Sequence, residues 1–312
     1  MADSEEKVTL VHTHGRSVDV EVAGVRLFRY VYNPVEIPMT ESPKPYFHPV
    51  KTLQGNVMTN LRSNDHPWHH ALAMTVTLLD GYNFWGGPTY KKGDSYQWLD
   101  NHGRQKHLDW KVLSANEDGS VQMEESLLWE TLKGEGLLSE NRRIGVPKIS
   151  SEEGYWILDF ATDLENASGR DLTFGNYHSS EELKGSHYTG LLFRMAREFV
   201  YECGDPEIKL LAANGLDGED AVHGASSPWV AMVGRHDGTL DRSTVLFLDR
   251  PENETYPSHW FVRRALPCVA YTFQYDQDRI LRKGETLSLS YRMVIANGAW
   301  SREKIEAFVA SQ

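Results

Sequence analysis

Apolar and polar positions alternate with a period of two along most of the chain. Residues 7–12, 17–22 and 25–32 show the pattern or carry runs of Val, Leu, Phe and Tyr, with Gly15 and Gly24 at the breaks. This predicts an antiparallel meander. Residues 71–79 alternate again, with Leu72, Met74, Val76 and Leu78 on one face. Further strands are predicted at 108–115, 121–130, 155–164, 171–175, 189–194, 229–235, 243–249, 269–274 and 286–296, several divided by turn signals such as Glu117-Asp118-Gly119 and His236-Asp237-Gly238. Pro34, Pro38, Pro43, Pro45 and Pro49 predict a long loop over 33–49, ordered at its aromatic end Tyr46-Phe47-His48. Helical periodicity is confined to the end of the chain: Ser301 is placed to cap a helix over 302–310, with Trp300 and Ile305 as its hydrophobic staple. Many short strands and so little helix predict an all-β fold. The expected form is a large antiparallel β-sandwich over residues 1–312, a single domain with a short C-terminal helix.

Composition narrows the function classes. The net charge of −12 comes without a Lys/Arg stripe, which sets nucleic-acid binding aside. Cys203 and Cys268 form no CxxC pair, so neither a disulfide framework nor a cysteine-rich zinc site is expected. The acidic start, Met1-Ala2-Asp3-Ser4-Glu5-Glu6-Lys7, has no apolar core, and no apolar run approaches a bilayer span. A cytoplasmic protein with reduced thiols and no membrane contact is therefore expected. Exposed strand edges leave room for a homo-oligomer. The nine Trp and fourteen Tyr pack cores and anchor loops, and those near polar groups also offer flat walls to ring-shaped ligands.

Candidate chemistry lies in five clusters. Asp65-His66-Pro67-Trp68-His69-His70 gathers three imidazoles and a carboxylate within six residues, and imidazole is both the side chain that titrates near neutrality and the commonest metal ligand. His102-Gly103-Arg104 with His107 precedes a strand. In Glu140-Asn141-Arg142-Arg143 the cations would hold Glu140 ionised. Asn176 to Glu182 leads on to His187, Tyr188 and Arg194, the last closing an apolar strand. Asn253 to Arg264 carries His259, Trp260 and Arg263 in what reads as another loop. Loops at one end of a β scaffold can converge on one site. No G-x-S-x-G elbow, P-loop, G-x-G-x-x-G or H-E-x-x-H motif is present, which disfavours nucleotide-dependent chemistry.

Taken in order, Pro45-Tyr46-Phe47-His48-Pro49-Val50, Asp65 to His70, Asn83-Phe84-Trp85-Gly86, Gly103-Arg104-Gln105-Lys106-His107, Trp129, Glu140-Asn141-Arg142, Phe174-Gly175, Gly190 to Arg194, and Asn253 to Arg263 resemble the bacterial PmoA-like family, known as methane oxygenase PmoA. The likeness runs from about residue 45 to 300 and is loosest around Tyr177 to Glu182, which weakens His178 as a site residue. True particulate methane oxygenase subunits are membrane proteins, and this chain has no spanning segment. What the resemblance implies is instead a β-supersandwich related to galactose mutarotase-like proteins, in a setting of sugar processing.

Three functions are expected to compete. The first is an enzyme acting on a sugar or glycoside as hydrolase, lyase or epimerase, which needs a placed proton donor and acceptor. Its catalytic candidates are His66, His69, His107 and Glu140, with Glu140 as base and His69 or His107 as acid. Arg194 or Arg263 would meet developing negative charge, and Trp68 and Trp260 would stack on the ring. His48, Asp65, His70, Arg104 and His259 complete the expected binding set. The second adds a divalent metal on His66, His69 or His107 with a carboxylate, a set that would also suit non-haem iron oxygenase chemistry. The third is a non-catalytic carbohydrate-binding protein.

Overall fold

The computed structural model describes residues 7–184, 186–200 and 207–312; Cys203 and the first six residues lie outside them. Two large antiparallel sheets face each other. The first orders its strands Val8–Thr13, Ser17–Val22, Val25–Val31, Tyr46–Val50, Leu72–Thr75, Gly190–Arg194, Cys268–Thr272 and His259–Arg263. The second runs Gly103–Ala115, Val121–Thr131, Gly136–Val146, Tyr155–Asn166, Thr286–Asn297, Arg242–Asp249, Trp229–Arg235 and Lys209–Ala212, with Ile149–Ser150 paired beside it. The expected all-β sandwich is what forms, and among the described residues no helix is long and apolar enough to cross a membrane.

Alternation explains the layers. In a strand, successive side chains point to opposite faces. Leu72, Met74, Leu191, Phe193, Val269, Tyr271, Trp260 and Val262 of the first sheet turn inward and meet Trp129, Leu158, Phe160, Val245, Phe247, Leu289 and Met293 of the second in one continuous core. The outer face of the second sheet is also apolar (Trp229, Ala231, Leu246, Leu248, Val294, Ala296), and the helix Arg302–Ala310 covers it with Ile305, Phe308 and Val309. That helix begins as expected: the Ser301 hydroxyl accepts from the Lys304 backbone N–H, with Trp300 and Ile305 buried on either side of the cap.

Three stretches expected to be loops are strands. Tyr46–Val50 pairs within the first sheet despite its prolines, His66–His70 pairs with Leu61–Ser63, and His259–Arg263 edges the first sheet. The Glu140 cluster lies within the strand Gly136–Val146, which had no strand expectation.

Candidate functional site

The register of the first sheet lays down, on its outer face, the floor of a cleft. Phe261 pairs with Ala270, Ala270 with Leu192, and Leu192 with Ala73, so one cross-strand row puts large and small apolar side chains side by side. In the next row Arg263 and Arg194 flank Cys268. Burial pushes the Cys268 thiol up to about 12, although both guanidiniums pull the other way, so it stays a thiol.

Walls rise from segments remote in sequence. Trp68, Trp85, Tyr188 and Leu266 pack on the floor cluster. Around them a cavity of about 380 Å³ is lined by His66, Trp68, His69, Trp85, Tyr96, Tyr188, Phe261 and Arg263 among others, within the size range of small-molecule sites. Local chemistry fixes the Trp85 wall. The Asn83 carboxamide oxygen accepts from the Trp85 and Gly86 N–H groups at 2.9 and 2.7 Å, and its amide donates to the Gly87 carbonyl. The buried Lys44 ammonium donates to the Trp85 and Glu41 carbonyls, each at 3.1 Å. Gly86 and Gly87 give the indole of Trp68 a bare backbone to rest on, since a Cβ at Gly87 would fall within its ring.

One end of the cleft is ionic. Arg194, buried at the floor, donates to Asp65 at 2.8 Å and to the Leu266 carbonyl at 3.2 Å. Burial alone would raise the Asp65 carboxyl, but hydrogen bonds from Ser63 and Arg194 outweigh it and hold the group well below the carboxylate range. The same Asp65 oxygen lies 3.1 Å from His66 Nδ1. An ionised acceptor at that distance favours the His66 tautomer with its proton on Nδ1 and the lone pair on Nε2. His69 sits 4.8 Å from His66 between ring centroids, edge-on to Trp85. Burial, with His66 and Arg194 nearby, lowers its pKa well below the usual value, so it is neutral. Arg263 lies over the Phe261 ring at 4.6 Å and donates to His223 Nδ1 at 2.8 Å.

The expected site residues therefore separate. His66, Trp68, His69 and Arg263 line the cleft, with Asp65 and Arg194 behind them. His70 and His48 lie one layer back: His70 Nε2 is 3.2 Å from Glu41, and His48 Nδ1 is 2.9 Å from Thr59. Arg104 pairs with Glu130 on the second sheet, and His107 Nδ1 is 2.6 Å from Glu125 there. Glu140 is enclosed between the sheets by Arg142, Trp129 and Thr162. Trp260 lies in the core with its indole N–H on the Ser227 carbonyl, where no ring ligand reaches it. His259 lines a neighbouring cavity. Tyr96, Phe261 and Lys44 were not singled out from the sequence, and Tyr188 and Trp85 were named in candidate motifs without a role; the Pro43-Lys44-Pro45 frame, which commits a lysine to a fixed turn, was the available signal for Lys44. The donor set expected for a divalent metal does not assemble. His107 is on the other sheet, Asp65 is committed to Arg194, and among the described residues no group of three His, Cys, Asp or Glu converges as metal ligands.

The buried imidazoles make stability depend on pH. Burial lowers His70 to about 3 and His48 to about 4. Both are neutral in the fold, whereas the unfolded chain protonates them below about 6.5. Their contribution is thus complete above that pH and is lost as pH falls through the window toward 4, because the unfolded state then binds more protons. For His70 the slope is about 1.4 kcal/mol per pH unit. Urea midpoints should fall between about pH 6.5 and 5, before the carboxylates of the unfolded chain begin to take up protons, and His70→Gln should flatten the decline. A midpoint independent of pH in that interval would contradict the assignment.

Comparisons with known proteins agree with an uncharacterised family. Residues 17–310 match the family described as Family of unknown function (DUF6807). No curated protein matches the sequence. Solved structures similar to the chain include an α-galactosidase from Lactobacillus brevis (9% identity, 100% of this chain and 42% of that one, TM-score 0.41). The galactosidase domain of the α-galactosidase-sucrose kinase AgaSK is similar too (10% identity, 96% and 42% coverage, TM-score 0.37). So is a GalM/aldose epimerase homologue from C. elegans (8% identity, 95% and 100% coverage, TM-score 0.31). The chain spans 42% of the length of the first two.

Proposed function

The chain belongs to the DUF6807 family, whose function is unknown, so we propose a function from the cleft itself: it binds a neutral sugar or glycoside and performs proton transfer on it with His66 as base. The observation that carries this reading is the Arg194–Asp65–His66 chain ending in a cleft walled by Trp68, Trp85 and Tyr188. Aromatic faces suit the apolar faces of a sugar ring, and the imidazole suits its hydroxyls. Among the described residues the lining contains no carboxylate. A glycosidase that works through two flanking carboxyl groups is therefore not what these walls support. Imidazole-mediated proton transfer, at a hydroxyl or at a C–H beside a carbonyl, is the better match, and it favours epimerase or lyase chemistry over hydrolysis. Arg263, half-buried at the cleft wall, is placed to meet negative charge that develops on a sugar oxygen.

The test combines tryptophan fluorescence titration with NMR of neutral sugars and glycosides in deuterated buffer. Trp68→Ala should weaken binding by about 1–3 kcal/mol. His66→Gln should retain binding and lose about a hundredfold or more in turnover. Turnover undiminished in His66→Gln would remove the imidazole from the mechanism. A lining without a carboxylate also suits a second reading, recognition without catalysis: saccharide binding by the parent protein with no deuterium uptake or bond change would select it.

A further inference from the structure

A second cavity, of about 430 Å³, opens beside the cleft. One strand serves both. His259, Phe261 and Arg263 alternate onto the same outer face; Phe261 and Arg263 line the cleft, and His259 lines the second cavity. The segment 186–188 serves both as well. Ser186 and Tyr188 line the cleft, while His187 between them lies flat on Tyr275, with ring centroids 3.9 Å apart and planes at 5°. Tyr275 lines the second cavity and stacks on His259 too, at 4.7 Å and 20°. Its carbonyl accepts from Asn176 at 3.1 Å and lies 2.7 Å from His187 Nδ1. Three rings, His187, Tyr275 and His259, are thus stacked beside the second cavity.

Gln274 lines the second cavity and is 4% exposed, and among the described residues neither its carboxamide nitrogen nor its oxygen has a hydrogen-bond partner. An unmet buried donor and acceptor are costly in a folded protein. A pair of adjacent hydroxyls answers both at once, one accepting from the amide and the other donating to its oxygen. The surrounding charge selects against anions. Glu254, Asp276 and Asp278 line the cavity, and the cation among them, Arg279, is paired with Glu254 and Glu285 at 2.8 Å each.

We propose that the second cavity is a subsite for a second neutral sugar unit, its hydroxyl pair held by Gln274, of a glycoside whose first ring occupies the cleft. This rests on the saccharide reading above and narrows it from sugars in general to ligands of two or more rings.

Titration calorimetry of the full chain tests it with the methyl glucosides and galactosides set against maltose, cellobiose, lactose, melibiose, trehalose and sucrose. At least one disaccharide should bind about tenfold more tightly than the methyl glycosides. Gln274→Leu and Gln274→Met should erase that advantage and leave methyl glycoside affinity unchanged. Both variants remove an unmet polar group, so their urea midpoints should not fall. Equal affinities for one-ring and two-ring ligands, or variants that bind disaccharides as the parent does, would overturn the subsite while leaving the cleft reading intact. Failure of every saccharide to bind would overturn both.

Discussion

Arg142→Met is expected to destabilise the protein by about 3–5 kcal/mol, as removal of one partner from a buried charge pair does. The guanidinium lies between the sheets at 1% side-chain exposure. It donates to both oxygens of Glu140 at 2.8 and 2.9 Å, to the Tyr30 hydroxyl at 2.8 Å and to the Gln105 carboxamide oxygen at 2.9 Å. Glu140 accepts in addition from the Trp129 indole at 2.6 Å and the Thr162 hydroxyl at 2.7 Å. Tyr30 passes the network on to Glu125, which His107 reaches from the other side. Without the guanidinium two carboxylates stay buried with no buried cation between them. Urea unfolding measures the loss, and a change below about 1 kcal/mol would show that the interior hydrates or rearranges around them. Replacing Arg142 and Glu140 together by Met and Leu should cost much less than the sum of the single changes, because each substitution alone strands the other charge. If the cleft binds saccharide as proposed, the folded fraction of Arg142→Met should bind it as the parent does, since the network lies between the sheets and outside the cleft lining.

Gly190→Ala is the second large effect, expected at about 2–4 kcal/mol. Gly190 opens the strand that carries Leu192 and Arg194 to the cleft floor, at φ +88°. A Cβ there would overlap the Tyr271 backbone carbonyl, which belongs to the neighbouring strand and cannot swing away as a side chain can. The Gly190 carbonyl also accepts from the Thr75 hydroxyl at 2.7 Å, which ties the entry point to the strand on the other side. The added methyl must therefore push the neighbouring strands apart or reroute 186–189, and the second course displaces Ser186 and Tyr188 from the cleft. Thermal unfolding and saccharide titration should fall together. A variant within about 0.5 kcal/mol of the parent would mean that the strand pair yields locally.

The fold was readable wherever strands bury apolar residues on one face. It was hidden where the buried positions are polar or the outward ones mix apolar and charged side chains. In Gly136–Val146 the inward series is Leu138, Glu140, Arg142, Ile144 and Val146, and the two charges in its middle disguise a regular alternation. In His259–Arg263 the apolar inward residues are Trp260 and Val262, while His259, Phe261 and Arg263 face out and give the segment the look of a loop. The dense imidazole cluster drew attention to 65–70, but density could not rank its members. His66 and His69 reach the cleft and His70 turns to Glu41, a split that simple alternation does not give, since it would place His66 and His70 on one face. Trp85, Tyr188 and Phe261 come together only through pairings between segments remote from one another along the chain. No local pattern encodes that.

The two outer faces of the sandwich are put to opposite uses: the C-terminal helix seals one, and the cleft occupies the other. For the experimenter this gives the molecule a front and a back. A biotin or surface linker joined beyond the helix Arg302–Ala310 grips the protein from behind, leaving the cleft face turned toward the solution. Amine coupling would instead scatter attachment over lysines such as Lys91, in the hairpin beside the cleft mouth. Immobilisation chemistry, as much as sequence, will decide whether an array of these molecules binds anything.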